Sequence, residues 1–289
     1  LTWRPFFSRE QLVAAVLSYV DLTHRIEIHH GSTRIRRNLL SDDNTPIEQR
    51  VDIEVILLIL FAPCDHITAA RNNSYNSSVL SCLQIDFMLQ SSLHCKVPNG
   101  AIDITSLFIN LNASTDAPHF VMEFIQGSPT SMVVLLDLLP RKDLALHPEY
   151  IEKYYENTEV DKQRKIIEEL PQARPYLSPS LFVRSAFSPT AVFFTIDCGQ
   201  GGESVLEEIV QGHLASVVKA VLQIWLDTCA VGTSEMEEGE REIMVKRDRT
   251  VRSKSIEVDL TANLPRMFGP DVSGRVIAEI RKAFGVQDA

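Results

Sequence analysis

The stretch AIDITSLFINLNASTDAPHFVMEFIQGSPTSMVVLLDLL, Ala101 to Leu139, decides the fold. Three apolar runs, AIDITSLFINL, HFVMEFIQ and SMVVLLDLL, are parted by the turn-forming segments Asn-Ala-Ser-Thr-Asp-Ala-Pro and Gly-Ser-Pro-Thr-Ser and read as strands. Connections this short join antiparallel neighbours, because a parallel crossover needs about a dozen residues or more. Upstream, LQIDFML and LHCKV, broken by Ser-Ser and followed by Pro-Asn-Gly, extend the same pattern back towards Val79. The expectation is an antiparallel meander.

Helical signals lie on both sides of it. Ser8 and Gln11 form a capping box before Leu12, Val13, Val16, Leu17 and Val20, which recur at helical spacing. Pro148 opens EYIEKYYEN, and Thr158 with Asp161 is placed to cap DKQRKIIEEL, which Pro171 ends. SLFVRSAFSPTAVFF, Ser180 to Phe194, reads as one or two further strands reaching Asp197. Leu206, Ile209, Val210, Leu214, Val217, Val218, Val221 and Trp225 mark a long helix whose single apolar stripe should lie on the sheet. Thr233 to Lys254, dense in both charges, reads as a solvated helix face or a loop. Val272, Val276, Ile280 and Phe284 mark a last helix with Gly285 as its cap. Residues 24–62 fit this scheme least: a basic patch, a polar turn and an abrupt apolar run read as an insertion or a loop. One α+β domain over residues 1–289 is expected, with a mostly antiparallel sheet covered by helices.

Composition excludes several functions. A formal charge of −10 disfavours nucleic-acid binding, since such surfaces are basic. Five cysteines without a C-x-x-C spacing suggest neither a disulfide framework nor zinc. The longest apolar run, Val55 to Ala62, is far short of the ~20 residues that span a bilayer, so no membrane span is expected. The Asp197-Cys-Gly-Gln-Gly-Gly202 turn lacks the Gly-Lys-Ser/Thr ending of a phosphate loop and reads as a plain turn. No histidine set has metal-ligand spacing, and no serine sits in a G-x-S-x-G elbow.

Two carboxylates stand out. In HFVMEFIQ, Glu123 shares a strand face with Val121 and Ile125, so covering that face would raise its pKa towards neutrality and hold a proton ready for transfer. A solvated or ion-paired strand glutamate is the commoner alternative. In SIEVDLTANLPRMFG, Asp259 flanks the apolar line Ile256, Leu260, Leu264, where it is either aimed at the core boundary or solvated. Spacing alone does not choose.

IDFMLQSSLHCKVPNG, HFVMEFIQ, VVLLDLLPRKDLALHPEYIEKYY, YLSPSLFVRSAFSPTA, KSIEVDL and PRMFGPDVSGRVIAEIRKAFGV together resemble the red chlorophyll catabolite reductase family, which belongs with the ferredoxin-dependent bilin reductases. The resemblance runs from about Leu83 to Val286, and the helix over Glu10 to Val20 resembles the family's first helix. It implies a three-layer α/β/α sandwich with a mostly antiparallel sheet flanked by helices. It further implies a chloroplast stromal homodimer that reduces red chlorophyll catabolite, an open-chain tetrapyrrole, to primary fluorescent chlorophyll catabolite. Reduced ferredoxin would be the external electron donor, with no bound flavin, nicotinamide or metal, because the conjugated substrate can itself carry an unpaired electron.

Residue by residue, the resemblance makes Glu123 and Asp259 the proton-donating pair. The family segment resembles I-E-D-D-L where this chain has Ile256-Glu257-Val258-Asp259-Leu260, and Asp259 takes the second acidic place. Phe187 matches the aromatic position tied to which face of the tetrapyrrole is protonated. Arg184 either binds a substrate propionate or forms an internal ion pair. A non-catalytic tetrapyrrole carrier of the same fold is the alternative, and a nucleotide enzyme using Gly199 to Gly202 is a distant third.

Overall fold

The computed structural model describes residues 31–37, 53–61, 84–97, 100–230 and 233–286. The capping box at Ser8 and the helix over Glu10 to Val20 lie outside these residues. Among the described residues eight strands form one sheet: β1 Gly31–Arg37, β2 Ile53–Phe61, β3 Ile85–Val97, β4 Gly100–Leu111, β5 His119–Ser128, β6 Ser131–Leu139, β7 Ala173–Pro175 and β8 Val192–Asp197. Their order is β1-β2-β3-β4-β5-β6-β8-β7, and every neighbouring pair is antiparallel. The meander is therefore present. β1 and β2 extend it into residues 24–62, so the described parts of that segment are sheet rather than loop.

The helices are α1 Pro148–Ile151, continued by a π-helical turn Glu152–Glu156, α2 Val160–Glu168, α3 Leu181–Ala186, α4 Glu203–Thr228, α5 Glu238–Ser255, α6 Thr261–Phe268 and α7 Pro270–Ala283. A π-helical stretch, Val210–Leu214, lies within α4, and another, Ile256–Leu260, joins α5 to α6. Alternation along the strands divides them between two faces of the sheet. On the first, Leu107, Ile109, Phe120, Met122, Phe124, Val134, Leu136, Leu138, Val192, Phe194 and Ile196 are buried in one cluster with residues of α1, α2 and α4. On the second, Phe87, Leu89, Leu93 and Ile104 pack under Ile256, Leu264, Val272, Val276 and Ile280. Helices on both faces of an antiparallel sheet make a three-layer α/β/α sandwich.

α4 is 26 residues long, with a most apolar window of mean hydropathy 1.4, enough by length and composition to cross a bilayer. Its stripe is spent on the core instead: Val217, Val221 and Trp225 are buried against the sheet, and the Trp225 indole N–H donates to the Pro118 carbonyl at 2.9 Å. Gly269 and Gly285, at φ +73° and +63°, follow α6 and α7 as caps that need the left-handed region.

Three further expectations change. LQIDFML and LHCKV are one strand, β3, with Ser91 and Ser92 inside it and paired to Ser106 and Thr105. SLFVRSA is helix α3, started by Ser180, whose hydroxyl accepts the Val183 N–H at 3.3 Å; only Val192 onward is strand. Thr158 does not cap α2: its hydroxyl bonds back to the Tyr154 carbonyl at 3.0 Å, and Glu159 holds the cap position. The charge-dense segment is helix α5 with a solvated face, the first of its two readings, and Met244 and Asp248 are buried on its inner side.

Candidate active site

The second face carries a row of residues paired across five strands: Ser91 on β3, Ser106 on β4, Glu123 on β5, Leu135 on β6 and Phe193 on β8. The C-terminal helices cover it at β3 and β4. Beyond them the cover thins, and Glu123, Ile125, Val133, Phe193 and Thr195 all keep partial exposure while their first-face neighbours are sealed. This half-covered stretch of sheet is the candidate cleft.

Glu123 sits at its inner edge. The buried Ser106 hydroxyl donates to its Oε1 at 2.9 Å, and no described residue hydrogen-bonds Oε2. Burial and then the negative charge of Asp259 push the Glu123 carboxyl up to about 7, against a smaller lowering from Ser106. A carboxyl in that state holds and releases a proton near neutral pH. The site therefore does bring Glu123 and Asp259 together. Asp259 lies on the π-helical turn above the sheet, partly buried, where the Asn263 amide donates to its Oδ1 at 2.7 Å.

Aromatic rings close the other side. Phe193 contacts Tyr176 at 4.9 Å between centroids and Phe187 at 5.7 Å, so three rings stand on the β8 side of the same row as Glu123. Phe187 follows the end of α3, half-buried. Arg184, one turn earlier, is exposed and forms no ion pair among the described residues, which leaves the internal-pair reading without a partner. Leu177, next to Tyr176 in the chain, and Leu181, the first residue of α3, are exposed, at 72 % and 73 %.

Two features escaped the sequence reading. Asp137, on β6 and facing the same side as Glu123, is buried, and burial pushes it up to about 6 although both oxygens are occupied by Ser188. At the far end of the face, buried Arg141 donates to Asp248 at 2.7 and 3.1 Å and to the Asn112 and Thr115 carbonyls. His119 completes this group: its Nδ1 accepts the Leu111 N–H at 3.0 Å, which puts its proton on Nε2, 3.3 Å from Asp248. Burial lowers its pKa to about 4, so the ring is neutral and structural. Among the described residues no cluster of His, Cys, Asp or Glu is placed to hold a metal. The Asp197 to Gly202 turn is closed by its own Asp197 carboxylate on the Gly199 N–H, a plain turn before α4.

Residues 5–282 match the family model described as red chlorophyll catabolite reductase. The chain belongs to the red chlorophyll catabolite reductase family. Among curated members it is 93% identical over 204 residues to the red chlorophyll catabolite reductase of Hordeum vulgare, covering 71% of this chain and all of that one. It is 82% identical over 205 residues to the chloroplastic red chlorophyll catabolite reductase 1 of Oryza sativa, covering 71% of this chain and 62% of the rice protein. It is 43% identical over 265 residues to the chloroplastic Arabidopsis thaliana protein, 87% of this chain and 81% of that one. The family fold extends further: tomato phytochromobilin synthase, solved in complex with biliverdin, superposes with a TM-score of 0.58 at 17% identity, over 96% of this chain and 84% of that one.

Proposed function

We propose that this chain reduces red chlorophyll catabolite to primary fluorescent chlorophyll catabolite in the chloroplast stroma, as a homodimer that takes electrons one at a time from reduced ferredoxin. The observation that carries the reading is Glu123, a carboxyl titrating at about 7 on a half-open sheet face across from three aromatic rings. A flat conjugated ligand fits between such walls by offset or edge contact. The relatives' names supply the substrate and the chloroplast.

The reduction adds two electrons and two protons to the tetrapyrrole. Ferredoxin supplies the electrons, and the conjugated substrate holds the first until the second arrives, so the protein's task is to orient it and deliver protons. Glu123, fixed by Ser106 through Oε1, presents Oε2 to the ligand as one donor, and Asp259 serves as the second. Phe187 sets the tilt of the ring system and hence the face protonated, and exposed Arg184 anchors a propionate at the rim. Bound flavin, nicotinamide or metal has no part in the scheme.

Anaerobic incubation of the purified chain with reduced ferredoxin and red catabolite should yield a blue-fluorescent product. Binding without turnover would replace the reductase by the carrier reading.

A further inference from the structure

Phe187 is held from both sides by groups that reach it from distant strands and helices. On its N-terminal side, the Arg247 guanidinium of α5 donates to the Ala186 carbonyl at 3.4 Å and to the Pro140 carbonyl at 3.1 Å. On its C-terminal side, Asp137 accepts the Ser188 N–H at 2.9 Å on one oxygen and the Ser188 hydroxyl at 2.5 Å on the other. The Ser188 hydroxyl is in turn 3.0 Å from that of Thr190 and accepts the Thr190 N–H at 3.2 Å. All three side chains are buried, Asp137 to 2 % exposure.

A buried carboxylate spent on one serine is a costly way to fix a loop, because the charge must leave water. Asp137 does not face the open cleft with a free oxygen, as Glu123 does, and so is not itself a proton donor. What it fixes is position. It lies on β6 two residues beyond Leu135, the direct neighbour of both Glu123 and Phe193, so the strand that separates the acid from the aromatic wall also grips the loop bearing Phe187.

We propose that Asp137, acting through Ser188, is a positioning residue that fixes the ring of Phe187 relative to the Glu123 carboxyl and thereby decides which face of the bound tetrapyrrole receives the proton. The inference rests on the reductase reading above. Displacing a reacting geometry by an ångström costs about 100-fold in rate, so a slackened loop should lower kcat and mix the products while KM stays nearly level.

The test uses the whole 289-residue chain, with Ser188→Ala and Asp137→Asn each alone and in a Phe187→Ala background. Circular dichroism in the visible band of bound red catabolite reads the twist of the tetrapyrrole, and chromatography of the product reads its epimer ratio. Expected are an altered dichroic band, a mixed epimer ratio and a kcat reduced about 10- to 100-fold in the single variants, with no further change in any of the three when Phe187 is already alanine. Ser188→Ala removes one hydroxyl and keeps the backbone bond, so it tests the idea even where Asp137→Asn fails to fold. Turnover with an unchanged epimer ratio, or changes of equal size with and without the Phe187 ring, overturns the positioning role alone. Wild-type chain that binds without turnover, yet whose dichroic band shifts in Ser188→Ala, overturns the reductase reading alone.

Discussion

The two faces of the sheet are built from the same strands by opposite rules. Towards α1, α2 and α4, residues such as Phe120, Met122, Val134, Leu138 and Ile196 are sealed; the Trp225 indole and the Tyr150 and Tyr155 hydroxyls that enter this face donate to backbone carbonyls, and the Tyr154 hydroxyl donates to the Asp116 carboxylate. Towards the C-terminal helices, the same strands place Ser91, Ser106, Glu123 and Asp137 among apolar neighbours and leave the β5–β8 half partly open. One face spends its burial on stability. The other spends stability on a carboxyl that water would leave ionised at neutral pH and that burial keeps half protonated.

Breaking the sealed face should have the largest effect on stability and the least specific effect on chemistry. Phe120 has no exposed surface and lies against Trp225 at 6.0 Å between rings. Phe120→Ala should cost about 3–5 kcal/mol of stability, seen as a lowered unfolding midpoint in urea. A loss under about 1 kcal/mol would mean that the face repacks freely and is no rigid support for the site.

Glu123→Gln should invert that pattern. Turnover is expected to fall about 10²- to 10⁴-fold, the usual size of a general-acid contribution, while the binding constant for red catabolite changes little. Stability should respond to pH with a definite sign. The Glu123 carboxyl titrates from 4.5 in the unfolded chain to about 7 in the folded one, so the folded state binds more protons across that window and its stability falls as pH rises through it. Glutamine removes the titration. The variant's melting temperature should therefore match the wild type below pH 4.5 and exceed it by a growing margin up to about pH 7. His119, which loses stability in the opposite sense as pH falls from 6.5 towards 4, is common to both chains and cancels in the difference. A margin that does not change with pH would show that Glu123 is not buried in this state.

The contrast between faces was half visible in the sequence. Strict alternation in HFVMEFIQ put Glu123 opposite Phe120, Met122 and Phe124, and short turns ordered the meander, because both signals are local. The polar residues of the functional face misled for the same reason. Ser91 and Ser92 resemble a turn when read along the chain, yet both lie mid-strand, and Ser91 is paired with Ser106 in the row that carries Glu123. α3 has only six residues, too few to show a helical period, and its aromatic and β-branched content imitates a strand. Asp137 stands alone in an apolar run, and the serine that explains it lies 51 residues on. Pairing at that distance leaves no trace in local pattern. Asp259 was legible as a flank of the Ile256, Leu260, Leu264 line, but its reach to Glu123 depends on where a π-helical turn sets it down over the sheet.

The finest division within the open face lies between the two neighbours that act on Glu123 in opposite directions. The Ser106 hydroxyl donates to the ionised form and lowers the pKa, whereas the charge of Asp259 opposes ionisation and raises it. A proton donor works only while it holds its proton, so the alkaline limb of the kcat/KM profile should follow the Glu123 pKa in the free protein. Ser106→Ala should move that limb to higher pH, since the carboxylate loses a donor and its burial is unrelieved. Asp259→Asn should move it to lower pH, and because it also removes the second proposed donor, the plateau should drop as well. Shifts in the same direction from both substitutions would break the assignment of the limb to Glu123. Opposite shifts with a lowered plateau only for Asp259→Asn would separate the residue that tunes the acid from the one that shares its work.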